Sequence, residues 1–325
     1  MKILKSLLVP LCSLMLAAAF PADAAEPYPN KPIRLIVPYA AGGGTDVMAR
    51  AFAQRLASAL SVQIVVENRT GAGGNIAASA VAKAAPDGYT LFFGAAGPLA
   101  VNPALYDKLP FDPVKDFAPI GLVGSMALFL TVPASMPVKS VKDLVALAKA
   151  KPGQLNYASA GIGGTTHLAM EVLKTETGAN LTHVPYKGTA AGVADMLGGN
   201  IQVIFDAWTS TSPHVESGKL KYLAVSTSAR STLAPQVPTM AESGFPGFNV
   251  FVWYGILAPA GTPSEVVDKL GRETLKVMTQ PELKEAFARL GMEPMSGGPE
   301  PFAAFIRSET VKWAKIVRDA GAKAE

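Results

Sequence analysis

One arrangement occurs twice in this chain: an apolar strand, a glycine-rich turn, and a helix that starts at once. In the first copy, Ile33-Arg34-Leu35-Ile36-Val37 reads as a buried strand and opens into Tyr39-Ala40-Ala41-Gly42-Gly43-Gly44-Thr45-Asp46. Val47, Ala51, Phe52, Leu56 and Leu60 then mark one face of a helix. A second strand, Gln63 to Glu67, leads to the turn Gly71-Ala72-Gly73-Gly74 and an alanine-rich helix through Lys83. A third strand, Tyr89 to Phe93, ends at Gly94-Ala95-Ala96. Later the order recurs. Leu155 to Ala158 opens into Ser159-Ala160-Gly161-Ile162-Gly163-Gly164-Thr165-Thr166, followed by a helix carrying Leu168, Val172 and Leu173. A strand from Leu181 to Val184, a Lys187-Gly188 turn, a helix to Leu197 and a strand from Ile201 to Phe205 complete it, ending at Asp206-Ala207.

Each copy is β-α-β-α-β, the pattern of a parallel sheet with helices on its faces. The expected fold is therefore α/β, with two parallel-sheet lobes and a cleft between them. Ligands of such sheets sit beyond the carboxyl ends of the strands, where both glycine loops lie. Residues 25–126 with 250–325 are expected to form the first lobe and 127–249 the second. The chain should cross near Gly124 to Pro133 and return near Pro246 to Pro259. The tail reads as helices packed back on the first lobe. Thr262-Pro263-Ser264-Glu265 has the form of a capping box, and Phe302, Phe305, Ile306, Trp313, Ile316 and Val317 line a final helix. Ser140 with Asp143 reads as another helix cap.

Residues 1–24 read as a cleaved secretory signal: Lys2 and Lys5, an apolar run from Leu7 to Phe20, then Ala22-Asp23-Ala24. That run falls short of the roughly 20 residues a membrane span needs. The expected location is the periplasm. The single cysteine, Cys12, lies within the signal, so the mature chain has no thiol for disulfides, catalysis or metal binding. The formal charge of +4 is too mild for a nucleic-acid binder, and no basic run is present.

A glycine loop feeding a helix exposes backbone N–H groups, because the first four in any helix lack intrahelical partners. Glycine also lets an anion approach without a Cβ in the way. Hydrogen bonds to a charged group contribute roughly 1.5–3 kcal/mol each, and micromolar binding needs about 8 kcal/mol net. A few such donors per carboxylate suffice without arginine. Thr45, Thr165 and Thr166 can add hydroxyl donors. Asp46 and Asp206 read either as structural groups or as contacts to a ligand amine or a water. Neither loop continues into Gly-Lys-Ser/Thr, so no P-loop is present, and Gly71-Ala72-Gly73-Gly74-Asn75-Ile76 lacks the third glycine of a dinucleotide fingerprint. There is no Gly-x-Ser-x-Gly elbow, and His167, His183 and His214 lack metal-site spacing. No enzyme, metal or cofactor is expected. His167 opens the second-lobe helix and reads as a structural contact or a ligand contact. Trp208 and Trp253 read as cleft wall or core.

Several segments resemble one family. They are Tyr28-Pro29 with Lys31 to Pro38, Ala41-Gly42-Gly43 with Asp46, Val66-Glu67-Asn68-Arg69 with Gly71 to Gly74, and Pro86 to Thr90. Further on come His183 to Gly188, Leu223-Ala224-Val225, Val237-Pro238-Thr239, and Ala258-Pro259 with Gly261-Thr262-Pro263. Together they resemble the Bug family, the periplasmic substrate-binding components of tripartite tricarboxylate transporters. The resemblance implies a type II periplasmic-binding fold that closes on di- or tricarboxylates, acidic amino acids or aromatic carboxylates. It implies capture by two opposed β-α loops, here Tyr39 to Asp46 and Ala160 to Thr166. Its implied partners are the transporter's membrane subunits; a periplasmic sensor serving a membrane kinase is the rival reading. The receptor is expected to act as a monomer. The candidate contacts are Tyr39, Ala41, Gly42, Gly43, Thr45, Asp46, Ala95, Ala96, Ala160, Gly161, Gly164, Thr165, Thr166 and Asp206. The family often carries hydroxyl or histidine side chains after the third strand. Ala95-Ala96-Gly97-Pro98 stands there instead, which favours a carboxylate smaller or more apolar than citrate.

Overall fold

The computed structural model describes residues 28–323. The signal-peptide expectation lies outside the described residues. The first copy of the repeat gives β1 (Ile33–Val37), α1 (Gly44–Leu60), β2 (Ile64–Asn68), α2 (Asn75–Ala82), β3 (Thr90–Ala95) and a short α3 (Asn102–Leu105). A long strand, β4 (Phe117–Pro133), leads to α4 (Val141–Ala150). The second copy gives β5 (Asn156–Ser159), α5 (Thr165–Thr177), β6 (Thr182–Pro185), α6 (Thr189–Leu197), β7 (Val203–Ala207), α7 (Trp208–Glu216) and β8 (Leu220–Val225). The chain returns through β9 (Phe251–Pro259) and ends in α8 (Ser264–Met278), α9 (Pro281–Arg289), β10 (Glu293–Gly297) and α10 (Pro299–Asp319).

Within each copy the strands pair in parallel, β2 and β3 flanking β1 in one sheet and β6 and β7 flanking β5 in the other. The parallel strands expected of each copy are thus present, and further strands make the sheets as wholes mixed. β9 runs antiparallel to both β3 and β4, and β4 runs antiparallel to β7, β8 and β10. The physical reason lies in the crossing strands. β4 passes from one sheet to the other and β9 enters the first sheet on the return, neither of them closing a β-α-β turn, so nothing constrains them to run parallel. β4 pairs with β9 through Ala127 and with β7 from Leu128 onward, so one strand belongs to both sheets. Its register shifts at Pro119/Gly121 and Leu122/Gly124, where bulges bend the long strand.

Burial explains the apolar sequence of these strands. Ile33, Leu35, Ile36 and Val37 are at most 1% exposed, because helices cover both faces of the sheet. The tail helices α8 and α10 both pack on β4, α8 also on α1 and α10 also on α3 and α5. The indoles of Trp253 and Trp313 both donate to Oε2 of buried Glu309, at 2.9 and 3.0 Å, tying α10 to β9. Trp253 is thus core and not cleft wall. Ser140 caps α4 by accepting from the Asp143 N–H at 3.1 Å. The capping box at Thr262 does not form. Its hydroxyl donates back to Pro259 O at 2.8 Å, and α8 begins without a side-chain cap.

Candidate functional site

The two β-α turns are built alike. Gly43 precedes α1 and Gly164 precedes α5, both in extended backbone and both without a side-chain cap. Each closes a turn, Gly43 N–H to Ala40 O at 3.3 Å and Gly164 N–H to Gly161 O at 3.2 Å. The residue before each has a positive φ, +80° at Gly42 and +74° at Gly163, which a side chain would oppose. The first helical bonds run from Val47 to Gly43 O and from Leu168 to Gly164 O. The N–H groups of residues 44–46 and 165–167 precede them and have no intrahelical acceptor.

Both turns open on one cavity of about 1110 Å³ between the lobes. The first lobe contributes Tyr39, Gly44, Thr45, Gly73, Gly97, Asn102 and Tyr254; the second contributes Ala160, Gly163 to Thr166, Lys187 to Thr189, Asp206, Thr209 and Ser210. Burial pushes the phenol pKa values of Tyr39 and Tyr254 upward, so both remain neutral donors. The Thr45 hydroxyl points to Tyr254 at a long 3.4 Å. The cavity therefore presents amide and hydroxyl donors from both sides, with Lys187 and Lys323 as its cations and Asp206 as its anion.

Of the candidate residues, Tyr39, Thr45, Ala160, Gly164, Thr165, Thr166 and Asp206 line the cavity. Ala41, Gly42 and Gly43 lie exposed in the chain between two lining residues, Tyr39 and Gly44. Gly161, half-buried, lies in the chain between the lining residues Ala160 and Ile162. Asp46 does not line the cavity. It is 2% exposed and accepts from Gly42 N–H at 2.8 Å, Asn68 Nδ2 at 2.9 Å and Arg50 Nε at 3.0 Å. Burial opposes its charge, yet these donors outweigh it and hold the carboxyl below its ordinary pKa. Asp46 thus fastens the loop. Ala95 and Ala96 are fully buried because β3 continues through Ala95, and the chain first meets the cavity at Gly97. Sequence reasoning missed Gly73, Gly97, Asn102, Lys187 and Tyr254. The second glycine turn and the Lys187-Gly188 turn, each between a strand and a helix, were the available signals for two of them. Tyr254 is brought to the site by long-range strand pairing, with Ala95 of β3 on one side and Gly124 of β4 on the other.

The second lobe also holds a serine–histidine pair. Ser159 Oγ lies 2.6 Å from His183 Nε2. Ser159 is fully buried, its hydroxyl also engages the backbone of Gly161, and it does not line the cavity. It is placed to hold the loop rather than to attack a substrate. His167, stacked on His183 at 4.2 Å between ring centres, accepts from Gly163 N–H through Nδ1 at 3.2 Å. Its role is structural, and burial lowers its pKa.

The comparisons agree with this architecture. The family model "Tripartite tricarboxylate transporter family receptor" matches residues 48–322. The chain is 39% identical over 300 residues to protein BugT of Bordetella pertussis, covering 92% of each. It is 36% identical to the R. palustris protein Rpa4515 solved with adipate, covering 91% of this chain and 99% of that one at a TM-score of 0.79. MatC of Rhodopseudomonas palustris, solved with bound malate, is 32% identical over 89% of this chain and 100% of its own, with a TM-score of 0.73. Shared sequence over nearly the whole length, together with the two-lobed fold of solute-binding proteins, identifies a binding protein and not an enzyme: the chain belongs to the tripartite tricarboxylate transporter receptor family, whose Bug members it resembles in sequence.

Proposed function

We propose that the protein is a periplasmic receptor that captures a small carboxylate, less polar or smaller than citrate, for the membrane subunits of a tripartite transporter. The observation that carries this reading is the pair of equivalent, uncapped helix N-termini facing one cavity. Each offers N–H donors and the positive end of a helix dipole to an anion. Residues 25–126 with 250–325 act as one lobe and 127–249 as the other, closing about β4 and β9. The relatives solved with adipate and malate support a dicarboxylate. Gly97, without a side-chain donor, supports a guest less polar than citrate. The positively charged start, apolar run and Ala22-Asp23-Ala24 support export.

Calorimetry of the mature protein against succinate, adipate, malate, benzoate and citrate tests this. A smaller or more apolar acid binding more tightly than citrate supports it. Tight citrate binding without response to the others overturns it.

A further inference from the structure

One wall of the cavity carries a group that the helix termini leave unused. Asp206, at the C-terminal end of β7, lines the cavity and is 3% exposed. Its Oδ1 accepts from the Ala207 N–H at 2.7 Å. Its Oδ2 has no hydrogen-bonded partner. The hydroxyls of Thr189 and Ser210, on the same wall, come near enough to favour the charged carboxylate but do not reach hydrogen-bond geometry with Oδ2. Burial outweighs them and raises the acid's pKa to about 6. An acceptor left in this condition is costly, and folded proteins leave few of them. Among the described residues the other such side-chain oxygen, Thr274 Oγ1, does not line the cavity.

We propose that Asp206 is a specificity residue whose Oδ2 accepts a hydrogen bond from a donor on the guest, an ammonium or hydroxyl group carried beside the carboxylate. This rests on the carboxylate reading of the cleft and narrows it. The chemistry of the wall supports the choice. A lone carboxylate oxygen accepts, and the flanking hydroxyls of Thr189, Thr209 and Ser210 can accept as well. A guest ammonium has three hydrogens to place and a charge opposite to that of Asp206. A hydroxyl places one. A bare methylene places none and leaves the buried oxygen unsatisfied.

The test is calorimetry on the full mature protein at pH 8, where Asp206 is ionised. Two matched series serve as probes: succinate, malate and aspartate, then glutarate, 2-hydroxyglutarate and glutamate. In at least one series a donor-bearing acid should bind about tenfold to a hundredfold more tightly than its bare parent. Asp206→Asn should remove that preference, because the amide presents its own N–H to the guest's donor, while the bare parent, relieved of a like charge, should bind at least as tightly as before. Comparison of ammonium with hydroxyl shows which donor the site takes. Bare acids binding as tightly as their substituted partners, or Asp206→Asn weakening all members alike, overturn the role of Asp206 and leave the carboxylate reading standing. Binding of none of the six overturns the role of Asp206, and the carboxylate reading falls with it if adipate, benzoate and citrate also fail to bind.

Discussion

Gly163 donates its backbone N–H to Nδ1 of His167 at 3.2 Å, across the turn that starts α5. In the other half Gly42 donates to Oδ2 of Asp46 in the same relative position. A left-handed glycine, an extended glycine cap and a side chain at the third helical position recur together. The side chain reaches back and clamps the glycine, which leaves the first helical N–H groups free to face the cavity. One half uses an acid for the clamp and the other a histidine, so the duplication is plainer in the hydrogen bonds than in the residues.

The Asp46 clamp has a measurable worth. Asp46→Ala leaves the Gly42 N–H, one Asn68 hydrogen and Arg50 without their acceptor. Urea unfolding should show a loss of about 2–3 kcal/mol, since three hydrogen bonds to a buried, charged carboxylate are lost together. Affinity for the guest should fall as well, because the loop loses its fixed shape. A loss well under about 1 kcal/mol would contradict the clamp.

The two left-handed glycines should differ in tolerance. A Cβ at Gly42 meets nothing within 4 Å, so Gly42→Ala costs backbone strain alone, about 1–2 kcal/mol. A Cβ at Gly163 falls 2.7 Å from Leu105 Cδ1, a side chain of α3 in the other lobe. Gly163→Ala should therefore destabilise by about 1 kcal/mol more than Gly42→Ala. Adding Leu105→Ala should narrow that gap, as unfolding of the four proteins would show. Equal costs with and without Leu105 would remove the steric explanation.

Acid should weaken the second lobe through His183. Burial, then the neighbouring His167, lowers the His183 pKa to about 4; Lys174 adds to this and Glu171 opposes it. The unfolded chain takes up this proton near pH 6.5 and the folded chain only near 4. Between those values the unfolded state binds more protons, so this contribution to stability falls as pH drops from 6.5 to 4. Asp206 acts in the opposite sense. Its folded pKa of about 6 lies above the ordinary 3.8, so its contribution rises as pH drops through that interval. His183→Asn removes the first effect and leaves the second. From pH 7 to pH 5 the wild-type protein should lose about 2 kcal/mol more than the variant in urea unfolding. Equal losses would show that His183 titrates alike in both states.

Much of the architecture was readable because it rests on local chemistry. Glycine turns at Gly42 and Gly163 need glycine for their backbone angle, and the apolar runs beside them need burial. What was not readable depends on distant partners. The directions of β4 and β9 are set by pairing with strands far away in the chain. Whether Asp46 faces a ligand or its own loop depends on Asn68, which the fold brings to it from β2 to join the local partner Arg50. Placing the contact at Ala95 and Ala96 instead of Gly97 was an error of strand length, which periodicity constrains weakly. Thr262 had the spacing of a cap, yet a nearer carbonyl took its hydroxyl.

The central claim is that one anion is shared by the amide groups that begin α1 and α5. A crystal structure of the complex with a tightly bound carboxylate examines it directly. The expected result is guest oxygens bonded, directly or through a single water, to backbone N–H groups at Gly44 or Thr45 and at Thr165 or Thr166. A guest bound elsewhere in the cavity, with neither set of amides engaged, would contradict the account.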